Sequence, residues 1–306
     1  MPYLTSASTI RSVIAKYTTA KTLWIDTEVA DYNTRNPRLS LIQVLDDPQD
    51  LSGDRIFILD VLNQPETTAE FIDKIMINPQ IEKVFHNANF DLKLLGNKKA
   101  KNVTCTLEMA KQIPYYALPV SNYQLKTLAA ELCDFYNIDK QEQSSDWGRR
   151  PLSEEQIEYA YLDCIYLAQV HLRLLELNQE MNPDPAEENL TSLNLRYAEI
   201  EEQWKILNSE YEHLKERIKK AMHVQNIDET TYFQLKPYEK KSIKVAFTEL
   251  AKLVQDQGID FDFPITLTQK LQKDLGENLE QLSVEVEKTT HLRLVPKDEE
   301  GNDVPT

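Results

Sequence analysis

The chain has 306 residues, of which 41% are hydrophobic, and its formal net charge is −16. This length suits one large domain or two smaller ones, and the hydrophobic share is sufficient for a packed core. The strong negative charge argues against a protein that coats nucleic acid through bulk electrostatics. The three cysteines lack zinc spacing, the five histidines show no HExxH pattern, and no nucleotide-binding glycine loop occurs among the six glycines.

The N-terminal half of the chain predicts a mixed α/β sheet. Three strand-like runs are separated by Asn-Pro and Asp-Asp-Pro turn signals, typical of an antiparallel meander, and they span 22–25, 39–45 and 55–61. Helical and strand patterns then alternate, with a strand at 83–86 and helices at 68–77, 89–95, 107–113 and 124–134. This alternation predicts helices on both faces of the sheet.

Two carboxylates follow the first strand-like run. Asp26 and Glu28 are two residues apart, and on a strand this spacing points both side chains to the same face. A carboxylate near a core is costly unless something pairs with it, and hard cations such as Mg²⁺ or Mn²⁺ prefer oxygen ligands. Taken alone, an acidic turn at the end of a strand explains this pair equally well.

A third carboxylate, Asp91, follows the strand predicted at 83–86. Asn87 or Asn89 is a candidate N-cap for the next helix, which places Asp91 in its first turn. Taken alone, this position is better explained by the attraction of an acidic side chain to the positive end of the helix dipole.

The fourth carboxylate lies on a long helical pattern at 152–178, which opens with a capping-box arrangement from Ser153 to Gln156. Tyr159 and Asp163 are four residues apart and therefore neighbours on one helix face. A tyrosine–aspartate hydrogen bond on a half-buried helix would explain the pair without a catalytic role. Each motif is weak singly, but the three motifs together, in this order, are specific.

These motifs resemble those of the ribonuclease D family of 3′–5′ exonucleases, within the tyrosine variant of the DEDD group. The matching positions are the DTE sequence at 26–28, Asn87 with Phe90 and Asp91, Tyr159 with Asp163, and the stretch 139–152. The resemblance covers about residues 3–175. One departure is Cys105, which stands where family members often carry an aspartate.

The resemblance implies a ribonuclease H-like fold and phosphodiester hydrolysis with two divalent cations, Mg²⁺ or Mn²⁺. It implies four metal ligands, Asp26, Glu28, Asp91 and Asp163. Tyr159 is expected to orient the attacking water, since a free tyrosine has a pKa of about 10 and remains protonated at neutral pH. The residues expected to contact the substrate are Asn87, Phe90, Gln143, Trp147 and Arg150.

The expected function is a metal-dependent 3′–5′ exoribonuclease that releases nucleoside monophosphates from RNA 3′ ends, for instance those of tRNA precursors. The resemblance of the stretch 139–152 to ribonuclease D favours RNA. A DNA exonuclease of the same group is one alternative, because recognition of a 2′-hydroxyl depends on local geometry. A non-catalytic assembly protein that acts through a C-terminal helix is the other alternative.

The sequence 182–185, Asn-Pro-Asp-Pro, breaks the long helix and predicts a domain boundary. We expect an exonuclease domain at 1–180, a coiled-coil helix with a small α+β module at 186–297, and a disordered tail at 298–306. Within the module, strands are predicted at 232–235 and 242–246, and a longer strand or hairpin at 282–295.

A heptad seam of apolar residues covers 190–218. Its alternating spacing of three and four residues requires a partner helix. Three partners fit this pattern: the chain's own later helix at 245–254, the exonuclease domain, or a second copy of the chain in a homodimer.

Other side chains have both a functional and a structural explanation. Trp147 lies in a polar loop and is the best candidate platform for stacking a terminal base, although most such aromatic residues serve in packing. The lysines at 93, 98, 99 and 101 either steer a strand end or form a solvated surface cluster. His86 is better explained as a buried, hydrogen-bonded residue than as part of the site.

The expected location is the cytoplasm, without membrane contact. The N-terminus lacks a basic and then apolar leader pattern, and no run of about 18 apolar residues occurs. Three unclustered cysteines fit a reducing compartment.

Overall fold

The computed structural model describes residues 2–136, 141–238, 245–258 and 266–285. The chain divides into two compact units, Met1–Leu207 and Asn208–Thr306. This division falls inside a long helix, and the domain limits expected from the sequence stay a prediction. Within the described ranges, every helix is too short or too polar to span a bilayer.

A six-stranded sheet forms the centre of the first unit, as far as its residues are described. Its strands are β1 (Tyr3–Leu4), β2 (Thr22–Ala30), β3 (Arg38–Leu45), β4 (Ile56–Asp60), β5 (Glu82–Phe85) and β6 (Val103–Cys105). The antiparallel pairs β2–β3 and β3–β4 confirm the predicted meander. The other pairs, β1–β4, β2–β5 and β5–β6, are parallel, so the sheet is mixed, with the strand order β1-β4-β3-β2-β5-β6.

Helices cover both faces of this sheet, as predicted. They are α1 (Ala7–Tyr17), α2 (Pro65–Phe71), α3 (Asn89–Leu92), α4 (Thr106–Gln112), α5 (Leu125–Cys133) and α6 (Glu154–Met181). Successive strand residues point to opposite faces. Accordingly, Leu23 and Ile25 of β2 belong to the same buried cluster as α1, whereas Trp24 packs with α6.

The helix α6 lies across β2, β3 and β4 and begins with the predicted capping box. The backbone N–H of Gln156 donates to Ser153 Oγ at 3.2 Å, and the N–H of Ser153 donates to Gln156 Oε1 at 3.0 Å. Ala160, Cys164 and Ala168 are buried at four-residue spacing. These small side chains allow the helix backbone to approach the sheet closely.

The parallel register of β2 and β5 brings the acidic motifs to one edge of the sheet. Trp24 lies opposite Val84, so Asp26 is level with His86, where the chain leaves β5 and turns into α3. A register shift between Glu28 and Val29 then interrupts the pairing of β2 with β3. The strand predicted at 22–25 extends to Ala30 in the structure, so both acids lie within it.

The sequence did not predict β1, β6 or α1. Strands of two and three residues are too short to show a two-residue period, and they are defined by pairing with distant strands. The helix α1 does carry an apolar stripe at helical spacing, and its buried residues are Ile10, Val13, Ile14 and Tyr17.

The prediction of an asparagine N-cap before Asp91 was wrong. Ala88 occupies the N-cap of α3 and no side chain caps this helix, which ends at Leu92. Asn87 instead adopts a left-handed backbone conformation, with φ of 58°. Asparagine tolerates this conformation better than most residues, so Asn87 turns the chain between β5 and α3.

Among the described residues after the Pro-rich break, three α-helices occur: α7 (Leu190–Gln225), α8 (Phe247–Gln257) and α9 (Gln269–Leu275). The helix α7 confirms the helix predicted at 190–218. The strand predicted at 232–235 was wrong, because only Gln234 makes a single bridge, to Glu229. The strand predicted at 242–246, most of that at 282–295 and the tail at 298–306 lie outside the described residues.

Candidate active site

Three of the four predicted carboxylates meet at one point. Asp26 and Glu28 stand on the same face of β2, and Asp163 reaches them from α6, which contacts β2. One carboxylate oxygen of each residue lies within 4.8 Å of the other two. Glu28 is buried, whereas Asp26 and Asp163 are partly exposed.

The fourth carboxylate, Asp91, is buried in α3 and lies outside this group of three. Thr27 Oγ1 donates a hydrogen bond of 2.6 Å to Asp91 Oδ1. Because Thr27 stands between Asp26 and Glu28 in the strand, this bond ties α3 to the middle of the first acidic motif. No local pattern indicated this role for Thr27, since the bond joins residues 64 positions apart.

Burial and mutual repulsion oppose the ionisation of these acids. Burial, and then the neighbouring carboxylates, raise the pKa of Asp26 and of Glu28 well above the ordinary range. Burial also raises the pKa of Asp91 and of Asp163 to about 6, although hydrogen bonds from Thr27 and Tyr159 oppose the rise. The site therefore favours binding of positive charge.

This donor set fits divalent cations. Carboxylate oxygens are the ligands that Mg²⁺ and Mn²⁺ prefer. Mg²⁺ binds oxygen at about 2.1 Å, so oxygens on opposite sides of one ion lie about 4.2 Å apart. The three carboxylate oxygens all lie within 4.8 Å of one another, so one ion placed between them would need only small side-chain movements to bind all three.

Tyr159 stands one helical turn before Asp163 on α6. Burial, together with the charges of Asp163, Glu28 and Asp26, raises the pKa of its hydroxyl far above the ordinary value. A hydrogen bond to Asp163 contributes to this rise. The hydroxyl is therefore protonated at neutral pH, which suits a hydrogen-bond donor and not a general base.

The acids open onto a cleft of about 960 Å³. All five residues expected to carry catalysis line this cleft, and so do three of the expected substrate contacts, Asn87, Phe90 and Trp147. Phe90 is 48% exposed, and Tyr32, which the sequence analysis did not single out, is 51% exposed. Both rings therefore offer free aromatic surface to a base.

Trp147 also lines the cleft but is only 2% exposed. Its ring lies 6.2 Å from the ring of Tyr159, centroid to centroid. A stacking platform needs an open ring face, whereas this packing fixes the tyrosine side chain. The substrate contact expected for Trp147 stays a prediction, and its position supports a role in placing Tyr159.

Arg150 is absent from the residues that line the cleft as described. Its guanidinium donates to both carboxylate oxygens of Asp60, at 2.5 and 2.8 Å, and to Ser40 Oγ at 2.9 Å. It also donates to the carbonyl of Trp147 at 3.0 Å. These bonds attach the Trp147 loop to β3 and β4. A substrate contact by Arg150 stays a prediction, and the side chain of Gln143 lies outside the described residues.

His86 lines the cleft and is largely enclosed. Its Nδ1 lies 2.9 Å from Thr106 Oγ1, and its side chain also bonds to the backbone of Tyr123. Burial lowers the pKa of His86 to about 4, so the ring is neutral at physiological pH. This agrees with the expectation of a hydrogen-bonded residue at the end of a strand.

The lysines at 93, 98, 99 and 101 are exposed and do not line the cleft as described. Lys98 and Lys99 lie in a 3₁₀ turn ahead of β6. β6 runs parallel to β5, with Val103 opposite Lys83. Residues ahead of β6 therefore lie toward the sheet edge opposite to the acids. This placement favours a solvated surface cluster for those two lysines.

The mixed sheet and the helix that covers it bring clustered carboxylates to one cleft, which agrees with the ribonuclease H-like fold expected from the sequence. Residues 1–178 match the sequence model of the 3′–5′ exonucleases. This match covers more than half of the chain, which therefore belongs to the 3′–5′ exonuclease family, and its domain is ribonuclease D-like.

Individual relatives agree with this assignment. Ribonuclease D of Bartonella henselae is 31% identical over 185 residues, which are 60% of this chain and 42% of that protein. DNA polymerase I of Aquifex aeolicus is 26% identical over 65% of this chain and 31% of that protein. The solved EXO domain of Nibbler from Aedes aegypti is 18% identical and has a TM-score of 0.50, covering 60% of this chain and 91% of that chain, which shows likeness of fold. The chain spans less than half the length of the first ribonucleases D that it matches.

Replacing Arg150 tests its structural role. Arg150→Met is expected to lower the free energy of unfolding by about 2–4 kcal/mol, because Asp60 would keep a largely buried charge without its partner. Urea denaturation measures the change. Arg38→Met is the control, since its ion pair with Asp31 is exposed and is worth at most about 1 kcal/mol. Equal stabilities of Arg150→Met and wild type would contradict the structural role.

Replacing Asp163 tests the repulsion at the site. Because its folded-state pKa is raised to about 6, ionisation of Asp163 destabilises the fold as pH rises through about 4 to 6. At pH 8 with chelator, Asp163→Asn is therefore expected to raise the free energy of unfolding by about 1–3 kcal/mol. With excess Mg²⁺ the wild type is expected to be more stable than Asp163→Asn, because metal binding to the folded wild type adds to its free energy of unfolding.

Chemical denaturation with and without metal measures both effects. Asp73→Asn is the matched control, at an exposed position of the π-helical turn that follows α2. It is expected to leave the free energy of unfolding unchanged, both with chelator and with Mg²⁺. If Asp163→Asn is less stable than wild type in the presence of chelator, Asp163 stabilises the fold and the expected repulsion is contradicted.

Proposed function

We propose that this chain is a metal-dependent 3′–5′ exoribonuclease that releases nucleoside monophosphates from RNA 3′ ends, with tRNA and other RNA precursors as substrates. The observation that carries the proposal is the convergence of Asp26, Glu28 and Asp163 at one point of a large cleft, with Asp91 and Tyr159 in its wall. The proposal goes beyond the family assignment in its substrate, its products and its metal requirement.

Two divalent cations, Mg²⁺ or Mn²⁺, would be held by Asp26, Glu28, Asp91 and Asp163, and would stabilise the charge that develops on the attacking and leaving oxygens. Side chains of the protein would position the attacking water and the metal ligands. The one hydroxyl proton of Tyr159 is donated to Asp163 in the structure, and it would turn to the attacking water and orient it when Asp163 holds a cation. Thr27 keeps Asp91 in place, and the packing of Trp147 keeps Tyr159 in place.

The terminal nucleotide would enter beside Asn87 and Phe90. The exposed ring of Phe90 offers a stacking surface that accepts any base, since every base has a π-face. A site that reads only a terminal nucleotide needs few phosphate contacts. The net charge of −16 is therefore compatible with an exonuclease, although it would disfavour a protein that coats RNA.

RNA is the preferred substrate in this proposal because several relatives bear the name ribonuclease D. The likeness to a DNA polymerase I keeps a DNA exonuclease as the second candidate. The three cysteines are free thiols, which is compatible with the proposed cytoplasmic location.

Replacing single acids tests the chemistry. Asp26→Asn and Asp91→Asn are each expected to reduce the rate of 3′-end trimming by at least about 10²–10³-fold, because each removes a charge that balances the cations. The measurement uses matched RNA and DNA single strands labelled at the 5′ end, with Mg²⁺ or Mn²⁺. RNA is expected to shorten one nucleotide at a time and faster than DNA.

Asp73→Asn controls for the loss of an acidic residue outside the site and is expected to keep full activity. Circular dichroism checks that each variant is folded. Normal trimming by folded Asp26→Asn would reject the catalytic assignment, and faster trimming of DNA than RNA would favour the second candidate.

We further propose that residues 190–218 join two copies of the chain in a homodimer. The seam residues Leu193, Tyr197, Ile200, Trp204 and Leu207 are each between 46% and 65% exposed. This is a continuous apolar stripe on α7, and a second identical helix would cover it by coiled-coil packing. The same stripe is the basis for the alternative of a non-catalytic assembly protein.

Light scattering tests the dimer. The wild type is expected at twice 35.5 kDa, whereas a Trp204→Glu, Leu207→Glu variant is expected at 35.5 kDa, because two buried charges would face each other across the seam. Ser209→Glu, on the side of α7 opposite to the seam, is expected to remain dimeric. A monomeric wild type at micromolar concentration would reject the homodimer.

A further inference from the structure

One wall of the cleft carries a cation with no assigned role. Among the lining residues that the structure describes, Lys126 is the only lysine or arginine. It belongs to the first turn of α5, and its side chain is partly enclosed. The lining also includes four carboxylates, yet Lys126 forms no ion pair with any residue in the described ranges.

The wall that carries Lys126 is held in place on both sides. Asn122 Oδ1 accepts hydrogen bonds from the backbone N–H of Gln124 at 3.0 Å and from Thr127 Oγ1 at 2.8 Å, which shapes the turn into α5. The side chain of His86, at the end of β5, bonds to the backbone of Tyr123. The base of Lys126 is therefore positioned relative to β5 and to the acids beside it.

A cation held in this way attracts an anion. The nearby acids are neutralised by cations in the proposed mechanism, so the anion must come with the substrate. Lysine acts on phosphate as a compact point charge with three donors. The N-terminal turn of α5 adds positive potential at the same place.

We propose that Lys126 binds a backbone phosphate of the substrate strand, the one on the 5′ side of the scissile phosphate. This inference rests on the proposed exonuclease function and adds to it the contact that holds the single strand in the cleft. A contact to the scissile phosphate itself would act on the rate of the chemical step, whereas a contact to the next phosphate acts on binding.

The test compares Lys126→Gln with wild type. We expect KM for a single-stranded oligonucleotide to rise about 3–10-fold with kcat unchanged, as for the loss of one partly exposed charge pair. The slope of log KM against log salt concentration is expected to fall by about 0.7, the value for one phosphate contact on a single strand. Lys126→Arg is expected to restore most of the affinity.

A chemical substitution identifies the phosphate. Oligonucleotides that carry one neutral methylphosphonate linkage, placed at successive positions from the 3′ end, are expected to bind wild type more weakly at the scissile linkage, which the cations would contact, and at the position on its 5′ side. Lys126→Gln is expected to be insensitive at that position. The Lys99→Gln variant controls for the loss of an exposed lysine outside the cleft and is expected to respond like wild type.

Binding of the same oligonucleotides is measured by fluorescence anisotropy with proteins that also carry Asp163→Asn, so that binding is observed without cleavage. This separates the two proposals: absence of trimming by wild type rejects the exonuclease function, whereas anisotropy still reports on Lys126. Equal methylphosphonate effects with and without Lys126, or a loss in kcat alone, would overturn the inference.

Discussion

Electrostatic repulsion among Asp26, Glu28 and Asp163 must be overcome by the backbone that carries them. Their oxygens lie within 4.8 Å of one another, with Glu28 buried and the other two partly enclosed, and burial and the neighbouring charges raise the pKa of Asp26 and of Glu28. Such a cluster would spread apart on a flexible scaffold. Here Asp26 and Glu28 belong to β2, which has neighbours on both sides, and Asp163 belongs to a 28-residue helix capped at its start. The rigid backbone keeps the charges together until cations offset them.

A second set of interactions supports Tyr159. The loop that contains Trp147 is attached to the sheet through Arg150, which bonds to Asp60 of β4 and Ser40 of β3. Trp147 then packs against Tyr159. The charged pair therefore lies away from the cleft and still influences it, because it determines where an aromatic ring can pack. A residue of a sequence motif can thus influence the position of a cleft residue through the fold.

The chain combines an acidic composition with a site that, in the proposed function, receives a polyanion. The charge of −16 belongs to the chain as a whole, whereas the lining of the cleft, as far as it is described, combines four carboxylates with one lysine. Charge in such a site is matched locally, over distances shorter than the screening length of about 8–10 Å at physiological salt. The apolar seam on α7 differs from the cleft, because it consists of exposed apolar side chains that are suited to packing against another helix.

Much of the site was predictable because its residues obey local periods. A spacing of two on a strand put Asp26 and Glu28 on one face, and a spacing of four on a helix put Tyr159 beside Asp163. The meander and α6 with its cap were predictable for the same reason. The short strands β1 and β6 were not, since a strand of two or three residues exists only through its distant partner.

Local patterns in the chain specify the four acids, their order, and the elements that carry them. The bond of Thr27 to Asp91, the burial of Trp147, the pairing of Arg150 with Asp60 and the presence of Lys126 in the same cleft as the acids come from the fold. Each of these features brings together residues far apart in the chain. Their meeting depends on strand order, register and helix packing, which no local pattern of side chains encodes.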